Sequence, residues 1–480
     1  MSESLVIRNK LDVTNFIDTQ PGRRKVYLLV ALIALGGTFI DGYDFTSLGI
    51  GTVQLTTVFH LSPFTLGFVT ASMAIGAVAG AVVGGYFVDR LGRLHMFVLD
   101  MALFVLSAIG AALAPNYSVL ILFRILMGIG VGLDYPVALS YIAEFVRMRK
   151  RTGWLTSWVL NWQVAATLGF AIMIPIWLTG VGNDLWRIAV GIGALPAIVL
   201  LLLRLRYMSE SPVWAAANGE LDRAAAIISR EYGVQCSSET PKTTAGVHPE
   251  NELPRFQISP RAILALLSGR FRGRTLYSMV VGFVQSIEYF ALAFYFPKIA
   301  AIIVGKHITE LLVASSLFNL AGAIGGVAAV LLVVKYGTRR LTQVGFLVVG
   351  GMLLIMGLLG PSGMPAILGA CMLIFIAFHI MGPGGMTMVV GTMSYPAEVR
   401  ATGAGLTEAA VRCGSVVGFF VFPILLASVG LANTVLILLA CPIVGILATL
   451  VFRWEMLGYD ADASVNIAED LGGGATQPVK

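Results

Sequence analysis

The sequence predicts an all-α integral membrane protein: twelve transmembrane helices arranged as two pseudo-symmetric bundles of six. Three observations predict it. The 480-residue chain is 57% hydrophobic and 12% charged, with a mean hydropathy of +0.85, whereas soluble domains carry about 25% charged residues. Its apolar stretches run close to the ~20 residues that cross about 30 Å of hydrocarbon as helix. The 54 glycines suit close helix packing in a bilayer better than a strand barrel.

Residues 1–25 are polar, contain Arg8, Lys10, Arg23, Arg24 and Lys25, and form a cytoplasmic N-terminal segment rather than a cleavable leader. The first bundle, 26–206, holds apolar spans Val26–Ile50, Phe64–Val88, Leu94–Ala114, Val119–Tyr141, Trp154–Thr179 and Trp186–Leu205. Between the bundles lies a cytoplasmic loop, 207–273. In it Ser211-Pro212 reads as an N-cap with proline in the first turn, and Leu221–Tyr232 as a second short amphipathic helix. Residues 236–255 read as linker. The second bundle, 274–453, holds Leu276–Pro297, Leu311–Val334, Leu341–Gly360, Ala366–Val390, Thr402–Ala427 and Ala432–Arg453. A cytoplasmic tail, 454–480, is acidic and then glycine-rich from Gly458 onward, the composition of a disordered segment.

Lysine and arginine set the orientation. With the N-terminus inside, the outer side carries only Arg187, Lys298 and Lys306, while Arg124 and Arg412 lie within spans. Every other basic residue is cytoplasmic, so both termini are inside. The formal charge of +6 follows from this topology and requires no nucleic-acid partner. The expected location is the cell membrane as a multi-pass monomer, and the compact loops fit a bacterial inner membrane.

Carboxylates inside apolar spans cost several kcal/mol unless protonated, paired or wet, and chains that keep them use them to move protons or bind solutes. Asp41 and Asp44, three residues apart, share one helix face at about 5–6 Å. With Asp134 they are the candidate proton-coupling residues, since burial pushes an acid toward neutrality and a nearby cation pulls it back. The alternative is that one of them pairs permanently with Arg124 or Arg412 and only holds the bundle together. Solute contacts belong near the midplane, where Arg124, Tyr43, Gln285, Glu288, Tyr289, His379, Glu408 and Arg412 are the candidates. An arginine fork suits a carboxylate or phosphate. Glu408 precedes Arg412 by four residues, so an internal ion pair is the rival reading. His379 relays protons or is simply hydrogen-bonded, and Gln285 or Tyr289 could satisfy Glu288. Phe45, Tyr135, Trp158, Trp162 and Phe290 line a pocket or only pack.

The halves echo each other. Glu144-Phe-Val-Arg147, followed by Arg151-Thr152-Gly153, matches Glu398-Val-Arg400 followed by Ala401-Thr402-Gly403. Asp89-Arg90-Leu-Gly92-Arg93 has a degraded counterpart in Val334-Lys335-Tyr336-Gly337-Thr338-Arg339-Arg340. The stretch Gly85-Tyr-Phe-Val-Asp89-Arg90-Leu-Gly92-Arg93 resembles the major facilitator superfamily signature. Arg124 with Gly128-Ile-Gly130, Pro-Ala-Glu398-Val-Arg400-Ala-Thr-Gly403, and Ser209-Glu210-Ser211-Pro212 extend the likeness over nearly the whole chain. The last two resemble the sugar-porter and metabolite–proton symporter branch. Asp41-Gly-Tyr-Asp44 is similar to the first-helix motif of aromatic-acid–proton symporters, and Gly132-Leu-Asp134-Tyr-Pro136 to the fourth-helix motif of phosphate and organic-acid symporters. Span seven lacks the paired glutamines of true sugar porters, offering Gln285-Ser-Ile-Glu288-Tyr289, and the last span ends in Trp454-Glu455-Met-Leu-Gly458 instead of their P-E-T-K-G.

The resemblance implies a secondary active transporter that imports a small organic solute, most simply an organic acid, aromatic acids included, by proton symport and alternating access. Asp41 and Asp44 would load the proton, with Asp134 next in order. Gly85, Asp89, Arg90, Gly92, Arg93, Glu144, Glu398 and Arg400 would form the inner gate, as partly exposed pairs worth about 0–1 kcal/mol each. A sugar or polyol symporter, a passive facilitator, a drug–proton antiporter and a non-transporting sensor are the alternatives. The energy source is the proton gradient with no cofactor: the chain has no G-x-x-x-x-G-K-S/T, and Gly128-Ile-Gly130-Val-Gly132 follows no strand. Cys236, Cys371, Cys413 and Cys441 have no metal-ligand spacing, and no nucleophile–base set suggests an enzyme.

Overall fold

The computed structural model describes residues 5–19, 24–239, 266–293, 296–303, 305, 307–360, 365–459 and 461. The linker expected over 240–255 and nearly all of the tail beyond Tyr459 lie outside the described residues. Among the described residues twelve helical spans are long and apolar enough to cross a membrane, in keeping with the composition.

β1 (Leu5–Ile7) and α1 (Lys10–Thr19) precede the first span. The N-terminal bundle is built from α2 (Arg24–Ile50) with its continuation α3 (Thr52–Phe59), α4 (Pro63–Leu91), α5 (Arg93–Ala112), α6 (Tyr117–Phe145) and α7 (Met148–Leu178). Its sixth span is broken at Gly193 into α8 (Leu185–Ile192) and α9 (Ala194–Tyr207). The central segment forms α10 (Pro212–Ala217), α11 (Leu221–Tyr232) and β2 (Cys236–Ser238). Then come α12 (Arg272–Ala293), α13 (Phe296–Ile303), α14 (Ile308–Tyr336) and α15 (Thr338–Leu359). The tenth span is α16 (Pro365–His379), a π-helical turn at Ile380–Gly384, and α17 (Gly385–Met393). Finally α18 (Arg400–Leu438) and α19 (Ala440–Phe452) complete the bundle. Gly430, at φ 77° and ψ 171°, leaves the helical region inside α18. It separates the eleventh span from the twelfth in a conformation that only glycine adopts without steric cost.

Helix starts follow local chemistry. Ser62 Oγ accepts from Thr65 N–H with Pro63 behind it, Asn116 Oδ1 accepts from Val119 N–H at 3.0 Å, and Ser211 Oγ accepts from Trp214 N–H at 3.1 Å. Each satisfies an orphan donor of a first turn. One expectation is corrected here: Cys236–Ser238 is not linker but a strand paired in parallel with Leu5–Ile7. The pairing joins residues about 230 apart, so no local pattern announces it. α1 packs on α10, and Val13, Phe16 and Ile17 share an apolar cluster with Trp214 and Ile228. The end of the bundle bearing these elements is termed proximal, the opposite end distal.

The two halves meet along two seams, α4 against α18 and α7 against α14. A Cβ at Gly85 would lie 2.6 Å from the Ala401 carbonyl oxygen, and one at Gly326 would lie 2.8 Å from Leu160 Cα. Such close approach is the use of small residues in membrane bundles. The glycine run of α6 serves the same purpose: Gly128 and Gly132 sit against the backbone of α4 at Met73 and Ala77.

Candidate functional site

The proximal seam is closed by a charge network. Asp89, at the end of α4, accepts from Thr402 N–H and Oγ–H, both at 2.8 Å. It thereby caps the N-terminus of α18 in the opposite half, where the helix dipole favours an anion. Arg93 reaches Asp89 at 3.1 Å, Glu144 at 2.8 Å and the Ala397 carbonyl at 3.1 Å. Arg400 from the other half approaches Glu144 at 3.5 Å. Contrary to the expectation of partly exposed pairs, Arg93, Asp89, Glu144 and Arg400 are at most 3% exposed. The glycines of the seam bring α4 and α18 too close for water, so these contacts are buried ion pairs, costly to break singly. Arg90 stands outside the network and donates to the Tyr86 hydroxyl at 3.2 Å. Glu398 accepts from Lys10 of α1 at 2.8 Å. Gly92, at φ 96°, lies against Glu210, which accepts from Arg93 N–H at 2.9 Å.

At mid-membrane the halves meet again, through Asp41. Its Oδ2 accepts from Tyr135 OH at 2.7 Å, Arg412 Nη2 at 3.0 Å and Trp162 Nε1 at 3.3 Å. Arg412, on α18, also bonds Glu408 at 2.5 Å and lies 4.9 Å over the Phe45 ring. The internal pair expected from the i,i+4 spacing is therefore present, and a second carboxylate from the other half joins it. Asp41 and Asp44 do not share these partners. Asp44 turns into the N-terminal half, against Gly193 and within electrostatic range of Arg124. Neither Asp44 oxygen and none of the three Arg124 guanidinium nitrogens has a hydrogen-bond partner among the described residues.

Asp134 lies elsewhere again. Its Oδ1 accepts from Arg204 Nη2 at 2.6 Å, while Asp100 accepts from Arg204 Nη1 at 2.8 Å. Tyr43 gives its hydroxyl to the Ala189 carbonyl at 2.7 Å and so binds α2 to α8. In the C-terminal half Glu288 meets His379, Oε1 to Nδ1 at 3.2 Å, rather than Gln285 or Tyr289.

Distal to Asp41 the halves part around a small cleft. Phe45, Trp162, Tyr289, Phe290 and Asn319 are among its walls. Tyr289 OH lies 3.4 Å from Gln163 Oε1 across the halves, and Phe45 and Phe290 meet at 5.3 Å between ring centres. This is a narrow, apolar, aromatic cleft, with one arginine and two carboxylates at its proximal edge. A second apolar cavity lies among Leu292, Met356, Leu368 and Leu431, with no charged residue in its lining. Of the expected solute contacts, Tyr289 lines the cleft and Arg412 with Glu408 lies at its floor. Gln285 is buried on α12, while Arg124, Glu288 and His379 are enclosed within their own halves. Sequence reasoning missed Asp100 and Arg204. Asp100 carries the same signal as Asp41, a carboxylate within an apolar span.

Residues 29–463 match the family described as sugar (and other) transporter. The putative metabolite transport protein YaaU of Escherichia coli is 27% identical over 92% of this chain and 95% of its own. The niacin transporter NiaP of Acinetobacter baylyi is 28% identical over 85% of this chain and 88% of its own. Among solved structures, the major facilitator superfamily proton:xylose symporter XylE of E. coli, bound to 6-bromo-6-deoxy-D-glucose, superposes with a TM-score of 0.75 at 21% identity, covering 92% of this chain and 98% of that one. Twelve spans in two halves, a charged seam and a cleft between the halves are thus the frame of a known transporter fold, and the chain belongs to the sugar (and other) transporter family of the major facilitator superfamily.

Proposed function

We propose that the protein is a proton-coupled symporter that imports a small organic acid by alternating access, with both termini in the cytoplasm of a bacterial cell. The observation that carries this reading is the Asp41–Arg412 pair, which joins the two halves at the floor of an aromatic cleft. The lopsided distribution of lysine and arginine supports the orientation. The buried seam at Arg93 and Asp89 supports a state closed to the cytoplasm.

The coupling follows from charge. Asp41, Glu408 and Arg412 together carry one net negative charge when both acids are ionised. A substrate carboxylate added to that cluster would make two, in a medium where an isolated charge already costs several kcal/mol. A proton on Asp41 removes one charge and loosens Arg412 Nη2, whose planar fork then takes the substrate carboxylate. Proton and acid therefore enter together. Asp44 lies one turn nearer the distal end on α2, so it receives the proton first and passes it to Asp41. The aromatic walls favour a ring on the substrate, and the resemblance to a niacin transporter points the same way. Closure at the distal end and separation of Asp89 from Thr402 would then release both to the cytoplasm.

The second reading is a sugar or polyol symporter, favoured by Asn319 on the cleft wall and by the likeness to a xylose symporter. Proteoliposomes loaded with a pH dye separate the two readings when challenged with nicotinate, other aromatic and aliphatic acids, and xylose. Acidification of the lumen by an acid, lost in Asp41→Asn, is the expected result. Acidification by xylose alone would sink the organic-acid reading, and solute entry without proton movement would leave a facilitator.

A further inference from the structure

We propose that Glu288 and His379 form a second proton-carrying site, in the C-terminal half, linked to the bend of the tenth span. The proposal rests on the reading of the chain as a proton-driven carrier and adds a second proton to it. Glu288 is 0% and His379 1% exposed, and Glu288 Oε2 has no hydrogen-bond partner among the described residues. The groups facing the pair offer no compensating cation. α19 presents Cys441, within electrostatic range of Glu288. α18 presents Arg412 and Glu408, which bond each other and Asp41. α14 and α15 keep their described charges in their terminal turns, at Glu310, Lys335, Arg339 and Arg340. A bare carboxylate in this setting is prohibitive. The pair is neutral only if it holds one proton, as glutamic acid with imidazole or as glutamate with imidazolium.

The pair also sits where a proton can be gated. The Tyr289 ring stacks on His379 at 4.8 Å and forms part of the cleft wall. His379 is the last residue of α16, immediately before the π-helical turn. Pro383 has no N–H to give the His379 carbonyl, and a Cβ at Gly384 would lie 3.0 Å from the imidazole. The ring therefore occupies space that exists only while the turn keeps its shape, and turns of this kind recur at functional sites. Beyond the turn α17 leans on α6 and α7 of the opposite half, so it must move for the proximal end to open. The proton enters while the cleft is open distally and is held between Oε1 and Nδ1. When α17 swings and water arrives, it leaves as hydrated proton, with glutamate and neutral imidazole remaining until the next loading.

Infrared difference spectroscopy tests this on the full-length protein in lipid nanodiscs, titrated through neutral pH. The variants are Asp41→Asn, Glu288→Gln and His379→Gln. Expected is a protonated-carboxyl signal that titrates in the wild type, is lost in Glu288→Gln, is retained in Asp41→Asn, and shifts its midpoint in His379→Gln. An unchanged difference spectrum in Glu288→Gln would mean that the proton never leaves, and the proposal would fall. If Glu288→Gln does not fold, His379→Gln decides: an unshifted wild-type spectrum overturns the proposal. A Glu288 signal that persists while no Asp41 signal exists would uphold this site and overturn the coupling assigned to Asp41.

Discussion

The N-terminal half buries Asp100 and Asp134 against an arginine, whereas the C-terminal half, beside its Glu408–Arg412 pair, buries Glu288 against a histidine. Within the N-terminal half the contrast repeats: Arg204 is bonded to Asp100 and Asp134, while Asp44 and Arg124 face each other without a hydrogen bond. A guanidinium stays charged under all physiological conditions, so carboxylates bonded to one inside a single half, as Asp100 and Asp134 are to Arg204, hold helices of that half together, whereas Asp41 is bonded to its arginine across the halves and loses that partner when they part. A carboxylate without such a bond, or with a partner that itself titrates, is free to change its protonation. Carboxylates bonded to an arginine of their own half are thus scaffold, and those bonded across the halves or bonded to no arginine are machinery.

The sharpest break is at the scaffold. Arg204→Met leaves two carboxylates facing each other in the N-terminal core and should destabilise by about 3–5 kcal/mol, the usual cost of orphaning a buried charge. Thermal unfolding of the detergent-solubilised protein would register it as loss of a monodisperse species. Adding Asp100→Asn and Asp134→Asn should recover most of the loss. Recovery without those changes would show that the triad is not what holds α5, α6 and α9 together.

Arg93→Gln comes next. It removes the buried guanidinium from the proximal seam but leaves Glu144 with Arg400 and Asp89 with Thr402, so the cost is about 2–4 kcal/mol, below the full orphaning penalty. Much of that should appear as a shift toward the inward-facing state rather than as unfolding. Maleimide labelling of a cysteine placed at Ala397, whose side chain is buried beside Arg93 in the closed seam, should become fast, and unchanged labelling would remove Arg93 from the gate.

How much of this was readable beforehand differs by kind of interaction. The spans, their order and the echo between Asp89-Arg93 and Val334-Arg339 follow from hydropathy and spacing, because bilayer thickness imposes them on local sequence. The Glu408–Arg412 pair was legible for the same reason, being one helical turn apart. Asp41 with Arg412 was not, since 371 residues separate them and only the docking of the halves brings them together. Arg204 was counted with the cytoplasmic charges at the end of its span, yet it turns inward to Asp100 and Asp134. Nor did the sequence reveal that Asp41 and Asp44 look into different halves, because a spacing of three fixes a face but not what packs on it.

A smaller stability effect is expected where the comparison predicts machinery. Asp44→Asn removes a carboxylate that makes no hydrogen bond, so unfolding should shift by about 1 kcal/mol or less. Proton-coupled uptake should nevertheless fall at least tenfold in the pH-dye assay. A large loss of stability with coupling intact would move Asp44 into the scaffold.

The last test compares the two copies of the motif itself. Asp89 caps the first turn of α18 across the first seam, whereas Val334, at the matching place, is half-exposed beside the second seam and reaches only to 3.9 Å of a Cβ built on Gly153. The second copy keeps the rest of the arrangement. Glu455 accepts from Thr338 N–H at 2.9 Å and Arg339 N–H at 3.0 Å, as Glu210 accepts from Arg93 N–H, and Gly337 at φ 79° repeats Gly92. The asymmetry leaves one seam pinned by ions and the other held by apolar contact, so opening has a weak side. Val334→Asp restores the acid toward the N-terminal turns of α7. Because the site is half-exposed, the added attraction should be worth about 0–1 kcal/mol, enough to slow inward opening up to about fivefold. Electron-spin distances between labels on the proximal ends of α7 and α14 would show the closed population rise. A fall would mean that an apolar second seam is itself a requirement of closure, and that the loss of the acid from the second copy strengthens the seal.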